Sequence, residues 1–168
     1  MTSNLKFAEI KKKIKIAKTH NDWRLIDDLY KEPDALLKRT ADTVRDHAGA
    51  AVKLGDLPRA ATMMRKSLRM DPKNIETKVQ LSSIYISQRR IKEAAKLLKE
   101  VLDANPDHVP AIISFVQCIG FNPEIENKEA VHDNICRDAK MLVEHGLKCE
   151  SKNAILWHQL ASILGNNK

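Results

Sequence analysis

The chain has 168 residues, of which 43% are hydrophobic, and its formal net charge at pH 7 is +7. This length suits one domain with a sizeable buried core, and the hydrophobic share excludes a chain that is disordered by composition. Because the N-terminus carries no long apolar run, neither export nor a membrane span is indicated, and we expect a cytoplasmic protein.

A pair of helices is predicted at the start of the chain. Within residues 4–19, apolar side chains such as Ile10 and Ile14 recur at helical spacing and make one stripe. The second helix ends before Pro33, because the residue before a proline is pushed out of the α region. We expect this pair, residues 1–33, to cap the remainder of the chain, residues 34–168.

The excess positive charge lies in the first of these helices. Residues 1–20 hold six lysines and one glutamate, whereas the rest of the chain holds 23 basic and 21 acidic residues. Clustered lysines release counterions when they contact phosphate, so docking on nucleic acid or on an anionic membrane is the alternative function of this helix. We favour a solvated helix face, since the helix has neither an arginine nor an aromatic ladder. The lysines concerned are Lys11, Lys12, Lys13, Lys15 and Lys18.

Glycine and proline mark the ends of the periodic segments that follow. Gly55 is expected to end a helix over about residues 34–54 as a left-handed cap, and Asp56 caps the next helix. No run of alternating β-branched residues indicates a strand. The further helices are predicted at about residues 57–70, 75–88, 91–104, 108–121, 129–148 and 153–165.

One segment of the chain occurs twice, 34 residues apart. Residues 57–72 align with residues 91–106. The residues that recur in register are two alanines, two bulky apolar residues, a basic residue, a leucine and a proline. A repeat of this length is one supersecondary unit that cannot bury its apolar face alone and therefore stacks on copies of itself. Such a stack favours a binding surface over a catalytic pocket.

This 34-residue unit of two helices resembles the tetratricopeptide repeat. Lys78 stands where the family has tryptophan, and in the preceding unit His47 and Ala51 stand where it has leucine and tyrosine. The earlier unit is therefore the weaker match. The residues of the later unit that fit the family pattern are Leu81, Ser82, Tyr85, Ala94, Leu98, Val101 and Pro106.

The resemblance continues downstream with an interruption. Ala139, Val143 and Gly146 match the second-helix sites only if about one helix-length is inserted, including residues 122–128, and Trp157 restores the signature tryptophan. The resemblance implies an all-α fold, a right-handed α-α superhelix of about four helix pairs with degenerate terminal pairs. Its units are residues 41–74, 75–108, 109–153 and 154–168.

For function, the resemblance implies a non-catalytic adaptor or scaffold that binds a peptide or helix of a partner protein in its concave groove. An assembly chaperone or a subunit of a larger machinery is the analogous role. Some members of the family bind the terminal carboxylate of a peptide with several basic side chains. Only Arg45 is basic at the matching sites of this chain, which disfavours a carboxylate-binding site of that kind. Serine and glutamine side chains in the groove suit hydrogen bonding to an extended peptide. The expected groove residues are Arg45, Lys53, Val79, Gln80, Ser83, Ile86, Ser87, Ser114, Gln117, Phe121 and His158.

We expect the three cysteines to be reduced thiols, since their number is odd and no Cys-x-x-Cys spacing occurs. His132/Cys136 and His145/Cys149 each place two ligand types one helical turn apart. On one continuous helix the 13-residue offset rotates the second pair by about 220°, so the four ligands cannot converge. We therefore predict no metal, no cofactor and no catalytic site. Self-association stays open as a further alternative, through Leu5, Ile16 and Cys118.

Overall fold

The computed structural model describes residues 3–32, 39–120 and 129–165, and all regular structure in these ranges is α-helical. None of the described helices is both long enough and apolar enough to cross a membrane. The predicted insertion at residues 122–128 and the expected groove residue Phe121 lie outside the described residues. The helices are α1 (Ser3–Thr19), α2 (Trp23–Lys31), α3 (Ala41–Lys53), α4 (Leu57–Met70), α5 (Ile75–Ser87), α6 (Ile91–Ala104), α7 (Val109–Gly120), α8 (Glu129–Cys149) and α9 (Ala154–Gly165).

Side-chain caps set the starts of several helices. α3 begins at Ala41 rather than near residue 34, because Thr40 is extended and forms a capping box in which its hydroxyl accepts from the Thr43 N–H. Asp56 caps α4 by accepting from the Arg59 N–H at 3.2 Å, as expected. Gly55 has a φ of +81°, so the predicted left-handed cap of α3 is confirmed.

The chain forms two compact units, Met1–Thr77 and Lys78–Lys168, which we call the N-terminal unit and the C-terminal unit. The boundary falls within α5. In the N-terminal unit the predicted apolar stripe of α1 is buried against α2 and α3, whereas Ile16 is 52% exposed. The core residues are Ile10, Ile14, Ala17, Ile26, Leu29, Tyr30 and Ala50, with Phe7 and Trp23 packed against them.

In the C-terminal unit the core is formed by α7, α8 and α9. It contains Val109, Ile112, Val116, Val143, Leu147 and Leu156. Gly146 lets α8 approach closely, since a Cβ there would lie 3.0 Å from Leu156 Cδ1 and 3.5 Å from Ile112 Cγ2. This contact explains why a small residue follows Ala139 and Val143 at that site.

In α9, the tryptophan that matches the signature site of the repeat is not a core residue. Trp157 is 53% exposed, and α9 instead packs on the unit through Leu156, which is fully buried, and Leu160. Trp157 is held by a hydrogen bond from its Nε1 to the Ser151 carbonyl at 2.8 Å.

The two aligned segments occupy equivalent environments. Ala60 and Ala94 are fully buried, and Met64 and Leu98 are buried at the matching site one turn later. Lys78, at the tryptophan position of the later repeat, is only 17% exposed, and its ammonium reaches Glu100 Oε2 on α6 at 2.7 Å. A lysine is tolerated here because its alkyl stem packs while its charge finds a carboxylate.

Candidate partner-binding surface

The predicted groove residues divide between the two units. Arg45 and Lys53 belong to α3 in the N-terminal unit, and the remaining described members belong to the C-terminal unit. Arg45 is held within its own unit, since its guanidinium pairs with Asp42 at 2.9 Å and donates to Asn74 Oδ1 at 3.3 Å. Lys53 is exposed, and its ammonium lies 5.8 Å from the centroid of the Trp23 ring.

Two of the expected groove residues are buried. Val79 is 9% exposed and Ser114 is 8% exposed, so neither side chain is accessible to a partner in this structure. Burial of Ser114 is tolerated because its hydroxyl donates to the Pro110 carbonyl at 2.9 Å. The resemblance placed both residues in the groove because it assigns positions along the first helix, but it does not show how much of each side chain the neighbouring residues cover.

The remaining groove residues of the C-terminal unit are accessible. Gln80 and Ile86 are half-buried, while Ser83, Ser87, Gln117 and His158 are exposed. None of these six is an aspartate, glutamate, lysine or arginine, although 30% of all residues in the chain are charged. We call these six residues the first-helix face, of which five have polar side chains and Ile86 has an apolar one.

The serines of the first-helix face have a defined hydrogen-bonding role. Ser83 donates to the Val79 carbonyl and Ser87 to the Ser83 carbonyl, both at 3.1 Å. Because each hydroxyl proton is used within α5, the lone pairs are what these side chains can offer. These hydroxyl oxygens can therefore accept from N–H groups of a ligand, a detail that the sequence did not specify.

Gln159 fixes the helix that carries His158. Its Nε2 donates to the Ile113 carbonyl on α7 at 3.0 Å, while its Oε1 is buried without a hydrogen-bond partner. The bond ties α9 to α7 within the C-terminal unit, so His158 stands on a positioned helix.

The lysines of α1 do not form one basic face. By helical rotation Lys11, Lys15 and Lys18 fall within about 60° of one another, whereas Lys12 and Lys13 lie roughly 100° and 200° from Lys11. Lys18 pairs with Asp46 at 2.8 Å, and the Lys11 ammonium lies 5.1 Å from the Phe7 ring centroid. The charge is therefore dispersed around the helix. All five lysines, Lys11, Lys12, Lys13, Lys15 and Lys18, are exposed.

A buried polar network in the N-terminal unit was missed from the sequence. Asp27 is 5% exposed and accepts hydrogen bonds from His47 Nε2 at 2.7 Å and from the Arg59 guanidinium, while Lys31 pairs with it at 2.7 Å. Burial opposes ionisation of Asp27, but hydrogen bonds from Lys31, Arg59 and His47 outweigh it and lower its pKa to about 2. The sequence feature that pointed to a buried polar group here was His47, which stands where the repeat family has leucine.

A cavity of about 210 Å³ lies beside this network. Four of its lining side chains carry positive charge, which suits an anionic group better than a cationic one. The lining residues are Tyr30, Lys31, Arg39, Thr43, Val44, His47, Arg59, Met63 and Lys66.

Stability is expected to fall as the pH drops below about 6.5, because of His47. Burial lowers the pKa of His47 despite the opposing effect of Asp27, and Arg59 and Arg39 disfavour its protonation further. The unfolded chain therefore takes up this proton first as the pH falls. Urea denaturation at pH 7.5 and 5.5 measures the loss. His47→Leu should flatten this part of the pH dependence, and an unchanged slope in that variant would contradict the assignment.

Cys118 is a core thiol. It is 3% exposed, and burial raises its pKa to about 11, so it stays protonated at neutral pH. Neither property suits the nucleophile of a covalent reaction.

Comparison with known proteins agrees with the repeat pattern. Residues 51–117 match the family model of the tetratricopeptide repeat. No curated protein sequence matches the chain. The family match covers both aligned segments, all of α5 and most of α7.

Solved structures share the fold at low sequence identity. MamA RS-1, as a double mutant, is 14% identical with a TM-score of 0.79, covering 96% of this chain and 84% of that one. The first tetratricopeptide domain of Spaghetti (RPAP3), bound to the HSP90 peptide SRMEEVD, is 17% identical with a TM-score of 0.64, covering 76% and 92%. YrrB, described as having an unusual peptide-binding site, is 14% identical with a TM-score of 0.68, covering 86% and 69%. The predicted all-α fold class is confirmed.

Proposed function

We propose that the chain, whose residues 51–117 match the tetratricopeptide-repeat family and whose structure shares that fold, is an adaptor that binds a peptide or helical segment of a partner protein. The binding surface is the first-helix face of the C-terminal unit. Two proteins of the same fold, Spaghetti and YrrB, are described as binding peptides, which supports this class of function. The chain performs no reaction on the bound segment.

The observation that carries the proposal is the uncharged, acceptor-rich character of the first-helix face. Ser83 and Ser87 stand one helical turn apart on α5, and each hydroxyl donates its proton to a backbone carbonyl of that helix, which leaves its oxygen able to accept. An extended peptide presents backbone N–H groups that need such acceptors. Ile86, half-buried on the same helix, offers apolar contact for a side chain of the ligand.

The same face argues against a ligand that is anchored by a terminal carboxylate. Capture of a carboxylate needs lysine or arginine donors, and the six residues of the first-helix face include neither. Arg45, the basic residue at a matching site of α3, is paired with Asp42. We therefore expect an internal segment of the partner, recognised through its backbone and one or two apolar side chains.

A matched pair of arginine substitutions tests the proposal. Gln117→Arg places a charge on the first-helix face, and Met141→Arg places the same charge on α8, where Met141 is 56% exposed. Pull-down from native lysate should show partner recovery reduced at least tenfold for Gln117→Arg and unchanged for Met141→Arg. Selection from a phage-displayed peptide library then identifies the bound segment, and Ser83→Ala should weaken that segment by a few fold through loss of an acceptor. Equal recovery with both arginine variants would refute the assigned surface.

A third variant separates the alternative role of the basic helix. In this variant glutamine replaces four lysines of α1, namely Lys11, Lys12, Lys13 and Lys15. The eluate of the pull-down is then assayed for nucleic acid and lipid. The adaptor proposal expects the same protein partner as wild type. Loss of the partner in this variant alone, or nucleic acid or lipid that disappears with the lysines, would transfer the function to α1.

A further inference from the structure

Three potential metal ligands meet at one end of α8 in the C-terminal unit. His145 and Cys149 lie four residues apart on α8, and Asp107 comes from the connection between α6 and α7. One ligand atom from each residue lies within 4.8 Å of the others. We propose that Asp107, His145 and Cys149 form a binding site for a divalent transition-metal ion of the zinc class.

Two of the three side chains share a hydrogen bond, and the third lies beside them. His145 Nε2 donates to Asp107 Oδ1 at 2.7 Å, and the Cys149 sulfur lies within 4.8 Å of the ligand atoms of both residues. A metal ion at this place finds one nitrogen, one sulfur and one oxygen donor within 4.8 Å of one another. Coordination by His145 Nε2 requires the imidazole proton to move to Nδ1 by exchange with solvent, and coordination by Cys149 releases the thiol proton to solvent. The metal–ligand bonds then replace the hydrogen bond between His145 and Asp107.

The geometry of the backbone lets these ligands adjust to a metal. Residues four apart on a helix lie on the same face one turn apart, so His145 and Cys149 are held in place by α8. In a tetrahedral site ligand atoms at about 2.0–2.3 Å from zinc stand roughly 3.3–3.7 Å from each other. The 2.7 Å contact between His145 and Asp107 must therefore widen. Asp107 can move, because its side chain is 70% exposed and lies in a helix connection.

The donor set selects the kind of ion. Thiolate and imidazole favour zinc and its borderline neighbours over magnesium or calcium, which prefer oxygen ligands. Three protein ligands leave a fourth position for water or for a ligand from a partner. Bound metal would fasten the connection between α6 and α7 to the C-terminal end of α8.

The helical period predicts different directions for the two His-x-x-x-Cys pairs of α8, so four ligands from this helix would not converge. The third ligand of the second pair comes instead from another element. The side chains of His132 and Cys136, which form the first pair, lie outside those that the structure describes. This pair has the same spacing on the same helix, so it supplies a matched control.

Titration of the full chain with Co²⁺ and Zn²⁺, in the presence of a non-thiol reductant, tests the site. Co²⁺ should give a thiolate-to-metal charge-transfer band and the visible bands of a four-coordinate ion. Cys149→Ser should abolish the charge-transfer band, and His145→Ala and Asp107→Ala should each weaken Zn²⁺ affinity at least tenfold by calorimetry. The His132→Ala/Cys136→Ser control should retain both the band and the affinity.

The opposite pattern would overturn the proposal. Loss of the charge-transfer band in the His132→Ala/Cys136→Ser control but not in Cys149→Ser would place the metal on the first pair. Absence of the band in wild type would leave Asp107, His145 and Cys149 as neighbouring side chains that bind no metal. Since Asp107 and Cys149 are exposed and His145 is half-buried, the variants should fold, and circular dichroism verifies this.

Discussion

Replacing Asp27 by alanine should lower the free energy of unfolding by about 3 kcal/mol. The carboxylate is 5% exposed and is the common partner of His47, Arg59 and Lys31. Its removal leaves the Arg59 cation and the His47 N–H without their acceptor in a largely buried place. Because the Arg59 side chain is 36% exposed, water can solvate it in part, and the loss falls at the lower end of values for broken buried ion pairs. Urea denaturation followed by circular dichroism at pH 7.5 measures the change.

The neighbouring residue on α2 supplies the control for this experiment. Asp28 also pairs with Lys31, at 3.2 Å, but its side chain is 72% exposed. Asp28→Ala should therefore change the unfolding free energy by less than ~0.5 kcal/mol. Equal losses from the two substitutions would mean that burial of the Asp27 network contributes nothing specific to stability.

Replacing Tyr85 by alanine should cost ~3–5 kcal/mol of unfolding free energy. The ring occupies the aromatic site of the repeat, is 6% exposed, and has the Arg90 guanidinium 4.3 Å from its centroid. The substitution leaves a cavity in the C-terminal unit and removes this cation–π contact. Urea denaturation of the purified variant, monitored by circular dichroism, gives the value.

Two further variants show whether the ring itself is responsible. Tyr85→Phe keeps the ring and should retain most of the stability. Trp157→Ala removes a larger side chain that is 53% exposed, and its effect should stay below ~1 kcal/mol. If Tyr85→Ala changes stability by no more than ~0.5 kcal/mol, the repeat register that places Tyr85 in the core is wrong.

Helix boundaries were largely predictable, because their signals are local. Asp56 and Gly55 act as caps through contacts within a few residues, and the apolar periods of α4, α6 and α8 reflect one buried face each. The start of α3 was misplaced, since the competing signal at Thr40 is a capping box rather than a proline or glycine. The match of Trp157 to the signature tryptophan did not show whether the side chain is covered, because that depends on the packing of other residues, and the structure leaves it 53% exposed.

The accessibility of the expected groove residues was only partly predictable. The resemblance placed Ser83, Gln117 and His158 in the groove, and these side chains are exposed. It also placed Val79 and Ser114 there, which neighbouring packing buries. The assignment of the whole surface as a partner-binding site remains a prediction that the arginine variants test.

The sequence by itself determined that this is an all-α repeat protein, because its 34-residue period, its caps and its apolar stripes are properties of short segments. Tertiary structure alone decided which distant residues meet. Asp27 joins Arg59 across 32 positions of sequence, and Asp107 joins His145 across 38. No repeated spacing in the sequence predicts such contacts, since each depends on how separate helices pack and not on the spacing of residues within one helix.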